Sequence, residues 1–121
     1  MEADIKEVIG AEIETFGWNV VNDAKRNTPV DLGGLRNSIS HDYLNSRTTI
    51  TVAANYAAYV EFGTGTFAAT YVPSLPPAIQ AYAMTFFKTG KGRLPAKPFL
   101  FPAYFKNLAL LKERLSAYKL L

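Results

Sequence analysis

The sequence predicts an α+β fold: a long N-terminal helix and a C-terminal helix packed on a small antiparallel sheet. Three observations carry this. Apolar residues recur at three- and four-residue steps over positions 1–27, the period changes to two over 37–54, and the helical period returns after Pro102. At 121 residues the chain is expected to be one domain, 1–121. Its 49% hydrophobic and 19% charged residues suit a globular chain with one modest core.

Residues 1–27 read as the first helix. Ile5, Val8, Ile9, Ile13, Phe16, Val20 and Ala24 share one face, and Lys6, Glu7, Glu14, Asn22 and Lys25 lie mostly off it. Pro29 biases Thr28 away from helical angles, so the helix should stop near Asn27. At 1.5 Å per residue it is about 37–40 Å long. Trp18 turns towards the polar side, where it either lies across a neighbouring loop or anchors a subunit contact.

Residues 28–36 are expected to form a capped turn. Asp31 is placed to cap a short helix from near Leu32, and Gly33-Gly34 supply a tight bend. A β-hairpin spans 37–54. Ile39, His41 and Tyr43 alternate with Ser38, Ser40 and Asp42, "LNSR" supplies the turn, and Ile50 and Val52 alternate with Thr49 and Thr51. Residues 55–63 return to helical spacing through Tyr56, Tyr59 and Val60, closed by Gly63 in a left-handed cap. "TFAATYV", 66–72, suggests a third strand. A helix over 74–89 has Ser74 as cap, Pro76-Pro77 in its first turn and Gly90 as its end. Residues 90–102 hold three prolines and read as an extended arm. The last helix, 103–121, carries Tyr104, Leu108, Leu111, Leu115 and Tyr118 as its stripe.

Composition narrows the chemistry. The chain has no cysteine, which removes disulfides and thiolate metal sites, and a reducing cytoplasm is the expected place of synthesis. No apolar stretch approaches the roughly 18 residues of a membrane span, so a soluble chain without a membrane partner is expected. His41, the single histidine, lies between Ile39 and Tyr43 and reads as a satisfied, partly buried side chain. Gly63-Thr64-Gly65 has Ala68 where a dinucleotide loop needs its third glycine. Gly90-Lys91-Gly92 fails as a Walker loop, with Thr85 and Gly92 at positions that require Gly and Ser or Thr. Glu61 lacks a carboxylate partner at any demanded spacing, so it is expected to sit at the surface or pair with Arg36 or Lys97. No catalytic, cofactor-binding or metal-binding residue is expected.

Charge is distributed unevenly. Residues 1–27 carry net −3, residues 28–87 net −1 and residues 88–121 net +7, for a total of +3. Lys88, Lys91, Arg93 and Lys97, with Phe86, Phe87, Phe99 and Phe101 nearby, suit an acidic protein partner, another copy of the chain, or nucleic acid.

Three segments in order, "TPVDLGGLRNSI" (28–39), "YAAYVEFGTG" (56–65) and "PAKPFLFPA" (95–103), resemble the tail-completion, or head–tail joining, family of tailed bacteriophages. The matching positions are Pro29, Asp31, Gly33, Leu35 and Ser38; Tyr56, Ala57, Val60, Glu61, Gly63 and Thr64; and Pro98, Phe99, Leu100, Pro102 and Ala103. Leu32 and Phe101 depart from the pattern, standing where such proteins usually have Thr and frequently have Arg. The stretch around 74–89 is variable across such proteins. The resemblance implies a structural virion protein without catalysis or cofactor. It implies a homo-oligomeric ring, hexameric, at the neck or upper tail, made in the bacterial host. Such a ring would meet the tail tube or terminator on one face and head connector proteins on the other, with DNA passing through the lumen. A minor tail or tail-terminator position fits the same resemblance, and a small basic nucleic-acid-binding protein is the alternative of another class. Trp18, Lys88, Lys91, Arg93, Lys97, Phe99 and Phe101 are the expected interface residues. Pro29, Asp31, Gly33, Leu35, Tyr56, Glu61, Gly63, Thr64, Pro98 and Pro102 are the expected fold-setting positions. An acidic N-terminal helix meeting the basic C-terminal segment of the next copy would suit a heterologous ring contact.

Overall fold

A computed structural model describes residues 5–64, 68, 71–84 and 95–119. In chain order they form α1 (Ile5–Asn27), α2 (Gly33–Asn37), strands β1 (Ile39–Leu44) and β2 (Arg47–Val52), and α3 (Ala57–Phe62). A 3₁₀ turn (Val72–Ser74), α4 (Pro77–Met84) and α5 (Phe101–Ala117) follow. The fold is α+β, with the two long helices and a two-stranded antiparallel sheet that the hydrophobic periods predict.

Helix α1 is the spine, packed along α5 on one side and against the hairpin on another. Its apolar stripe is shifted from the one read off the sequence. Gly10, Glu12, Gly17, Val20, Val21 and Ala24 are the buried positions, whereas Ile5 is largely exposed. The glycines explain the shift. A Cβ on Gly17 would lie 2.2 Å from His41 Nε2 and 2.6 Å from Thr48 Cγ2, and one on Gly10 would lie 2.6 Å from the Tyr43 hydroxyl. The hairpin therefore lies against bare backbone, at a distance no larger residue permits. Thr48 fastens it by donating its hydroxyl hydrogen bond to the Ile13 carbonyl at 2.8 Å.

Register in the hairpin runs from Ile39 opposite Val52 to Leu44 opposite Arg47. Ile39, His41, Tyr43, Thr48, Ile50 and Val52 face inwards, and the alternate residues are exposed. Asn45 and Ser46 make the two-residue turn, with φ of 51° and 61°, the signs of a type I′ turn that matches strand twist.

The main core gathers Val20, Val21, Ala24, Leu35, Ile39, Val60, Phe99 and Ala103. Phe62, Ala68, Val72, Leu75 and Ala83 form a second cluster beside it. Several local expectations are corrected. Helix α2 begins after Leu32 with no side-chain cap, because the chain turns through a Leu32 N–H to Pro29 carbonyl bond that leaves Asp31 exposed. Gly33 and Gly34 are helical and make no bend of their own. The proposed strand at 66–72 is not formed among its described residues: Ala68 and Tyr71 are helical and Val72 begins the 3₁₀ turn. Ser74 does not cap α4, since its hydroxyl donates back to the Tyr71 carbonyl at 2.6 Å. The residue that ties this turn together is Gln80, whose amide donates to the Leu75 carbonyl at 2.6 Å. Gly90, expected to end that helix, lies outside the described residues.

Candidate assembly site

The three sequence motifs meet in space through two contacts. The Tyr56 hydroxyl lies over Gly34, where a Cβ would stand 3.3 Å from it, so motif two leans on motif one. Glu61 joins motif two to motif three. It is 3% exposed, and its Oε1 accepts backbone N–H bonds from Phe99 at 3.1 Å and Leu100 at 2.7 Å. Its Oε2 accepts from the Tyr71 hydroxyl at 3.4 Å. Leu100 immediately precedes α5, so the carboxylate sits at a helix N-terminus, where backbone N–H groups lack intrahelical partners and negative charge is favoured. The expected pairing of Glu61 with Arg36 or Lys97 is therefore replaced by pairing with backbone. Burial raises the Glu61 pKa above the usual carboxylate range, against the lowering effect of the N–H bonds. Burial, with the neighbouring Glu61 charge, also raises that of Tyr71.

The arm is held at both edges. Lys97 N–H donates to the Val60 carbonyl at 2.8 Å, and the Asn27 amide donates to the Phe99 carbonyl at 3.3 Å. Phe99 itself is 1% exposed in the main core. That corrects its reading as an interface residue: a ring in the core has no face for a neighbour. Phe101 is half-buried and stacked between Phe62 and Phe105, with centroids at 5.7 and 6.3 Å. Leu35 is a core side chain, Pro29 and Pro98 are half-buried, and Pro102 occupies the first turn of α5. Gly63 ends α3 with φ 75° and ψ −172°, its N–H on the Tyr59 carbonyl. This is not the left-handed helical cap but an extended positive-φ conformation that is essentially reserved for glycine. Thr64 is half-buried and its carbonyl receives the Ala68 N–H at 3.4 Å. Tyr56 and Tyr59 keep two fifths of their surface exposed, so Val60 alone of the three packs fully inwards.

Trp18 is 52% exposed, with its ring edge-on to His41 at 4.7 Å. It lies across the hairpin and still offers half of its surface. His41 is only half satisfied. Nε2 meets the Thr48 hydroxyl at 3.3 Å, while Nδ1 is buried with no hydrogen-bond partner among the described residues. Lys97 is exposed; Lys88, Lys91 and Arg93 lie outside the described residues.

The α1–α5 seam holds polar groups that the spacing analysis overlooked. Arg114 makes a two-pronged bond to the buried carboxylate of Glu12, Nε to Oε2 at 2.5 Å and a terminal nitrogen to Oε1 at 2.9 Å. Asp23 accepts from Asn107 at 2.9 Å and pairs with Arg26 at 2.8 Å and Lys106 at 3.6 Å. Hydrogen bonding from Arg114 lowers the pKa of Glu12, and hydrogen bonding from Asn107 lowers that of Asp23. The acidic helix and the basic C-terminal helix therefore meet within one chain, which uses part of the charge expected to join neighbouring copies.

The polar groups buried here hold the protein's own backbone and helices together, while aromatic and charged groups are left at the surface. Residues 1–63, just over half of the chain, match the family described as "Bacteriophage HK97-gp10, putative tail-component". The chain belongs to this phage tail-component family. No curated protein and no solved structure matches it. Among the described residues no helix is long and apolar enough to cross a membrane.

Proposed function

We propose that this tail component is a ring-forming subunit of the phage neck or upper tail. In this role it completes the tail and links the tail tube to the head connector, with DNA passing through the ring. The observation that carries the reading is an uncovered apolar face on α5 and the residue after it, where Leu108, Leu111 and Leu115 are only half-covered and Leu110 and Tyr118 are exposed.

Unlike faces support a ring over a two-fold dimer. Trp18 lies against the hairpin and Glu7 and Glu14 line a groove at the hairpin tip, whereas Leu110 and Tyr118 are exposed on α5 and just after it, so a neighbour would meet each with a different surface. Catalysis has no place in this reading, because Glu61 spends its oxygens on Phe99, Leu100 and Tyr71. Native mass spectrometry of the chain, alone and with its tail-tube and connector neighbours, should give a closed hexamer, and cross-linking in intact particles should place it at the neck. A chain that stays monomeric in every mixture would overturn the ring. A tight, salt-resistant gel shift of DNA by the monomer would favour the nucleic-acid reading instead.

A further inference from the structure

Glu7, Ala11, Glu14 and Trp18 follow one another at four-, three- and four-residue steps, which places them on one stripe of α1. By helical rotation this stripe faces away from Glu12 and Asp23, the acids that hold α5. Beside it stands the hairpin tip, and between the two runs a groove of about 660 Å³ lined by Glu7, Glu14, Lys6, Tyr43, Asn45 and Ser46, with Gly10 also on its wall. Among the described residues Glu7 and Glu14 have no ion-pair partner. Trp18, the single tryptophan, extends the stripe by one turn with half of its indole open.

We infer that this groove receives the basic segment 85–97, "TFFKTGKGRLPAK", of a second copy, an assignment that rests on the ring reading. Two carboxylates outnumber the one ammonium on the groove wall, so its sign repels nucleic acid and selects a cationic chain. The segment is complementary: it carries Lys88, Lys91, Arg93 and Lys97, and no acidic residue stands between Glu61 and Glu113. An exposed indole beside carboxylates also suits a guanidinium or ammonium, which gains from the ring face as well as from the charges. Two of the three basic residues of α5 are less suited, since Lys106 and Arg114 are already paired with α1, which leaves Lys112 as a single cation against the four of the segment.

Trp18 makes the test direct. A synthetic peptide of residues 85–97 is titrated into the full-length chain at low protein concentration while Trp18 emission is followed. Saturable quenching or a blue shift, weakened with rising salt, is the expected result. Glu7→Lys with Glu14→Lys should weaken binding at least tenfold without moving the melting temperature, since both side chains are exposed. A peptide with Lys88, Lys91 and Arg93 changed to Glu should lose binding to the native chain and regain it on the doubly substituted one. No emission change, or one indifferent to the two glutamates, overturns the assignment. So does a Trp18 difference between the native and K88E/K91E/R93E chains that is the same at every protein concentration, because the segment would then occupy its own groove. Sedimentation of the native chain with its neighbours reads the ring separately, so a silent titration with an intact ring removes only the groove contact.

Discussion

Glu61 is the residue on which the local architecture turns. Both backbone bonds fall on Oε1 and the tyrosine bond on Oε2, so glutamine retains every acceptor the arm uses. Glu61→Ala leaves one buried and one partly buried N–H group without its carboxylate partner and should cost about 2–4 kcal/mol, measured by urea unfolding. Glu61→Gln should cost much less. The pH dependence gives a second signature. Because the folded-state pKa is raised, the folded protein takes up a proton before the unfolded chain does as pH falls. The Glu61 contribution is fully present below the unfolded value of about 4.3 and is lost as pH rises through the folded value. Stability of the native protein relative to Glu61→Gln should therefore grow between neutral pH and about 4.3; a constant difference would contradict the raised pKa. Gly63 and Gly33 make a matched pair of controls. Gly63→Ala places a side chain at φ 75° and should cost about 1–3 kcal/mol. Gly33→Ala, in a helix with nothing within 4 Å of its Cβ, should be neutral or stabilise by about 0.4–1 kcal/mol.

At the scale of elements, α1 is joined to the hairpin by absence of side chains and to α5 by charge. Gly17→Ala puts a methyl group into the His41 ring and the Thr48 methyl, and should destabilise by about 1–3 kcal/mol. Gly10→Ala should cost less, because its nearest neighbour is the movable end of Tyr43. Thermal melts of the two variants decide the order. The α5 joint has the opposite pH sign to Glu61. Glu12 and Asp23 have lowered pKa values, so their contribution is present above the unfolded values near 4 and is lost as pH falls through the folded ones. Arg114→Gln should be less stable than the native protein at neutral pH, and the gap should close on acidification below about 4. Urea midpoints across pH 3–7 for this variant and for Glu61→Gln should diverge in opposite directions. The alternation of the hairpin was open to reading because one face is dry and the other wet. The helical stripe was less so, since Gly10 and Gly17 score as weak helix formers rather than as contact points. Their seven-residue spacing, with Ala24 seven further on, was the available signal: glycine costs a helix interior about 1 kcal/mol and is retained where a neighbour comes close.

For the whole molecule, isolated stability and assembly should respond to different residues. Leu110 is 46% exposed in the single subunit, so Leu110→Ser should leave the melt of dilute protein within about 0.5 kcal/mol of native. The same change should weaken assembly in sedimentation at high concentration if the half-covered face of α5 is buried in the ring. An equal loss in both measurements would make Leu110 a folding residue and remove α5 from the interface.

The fold class, the two long helices and the hairpin follow from the sequence by itself, because hydrophobic period is a local property that each segment carries alone. The ordered motifs likewise placed the chain among phage tail components, where its first 63 residues also match. Only the tertiary structure decided which charges are spent within the chain and which remain. It turned Glu61 from a surface acid into the buried acceptor that holds the arm, and Phe99 from a docking residue into core. Burial and pairing depend on residues tens of positions apart, 38 between Glu61 and Phe99 and 102 between Glu12 and Arg114, and no local period records such distances.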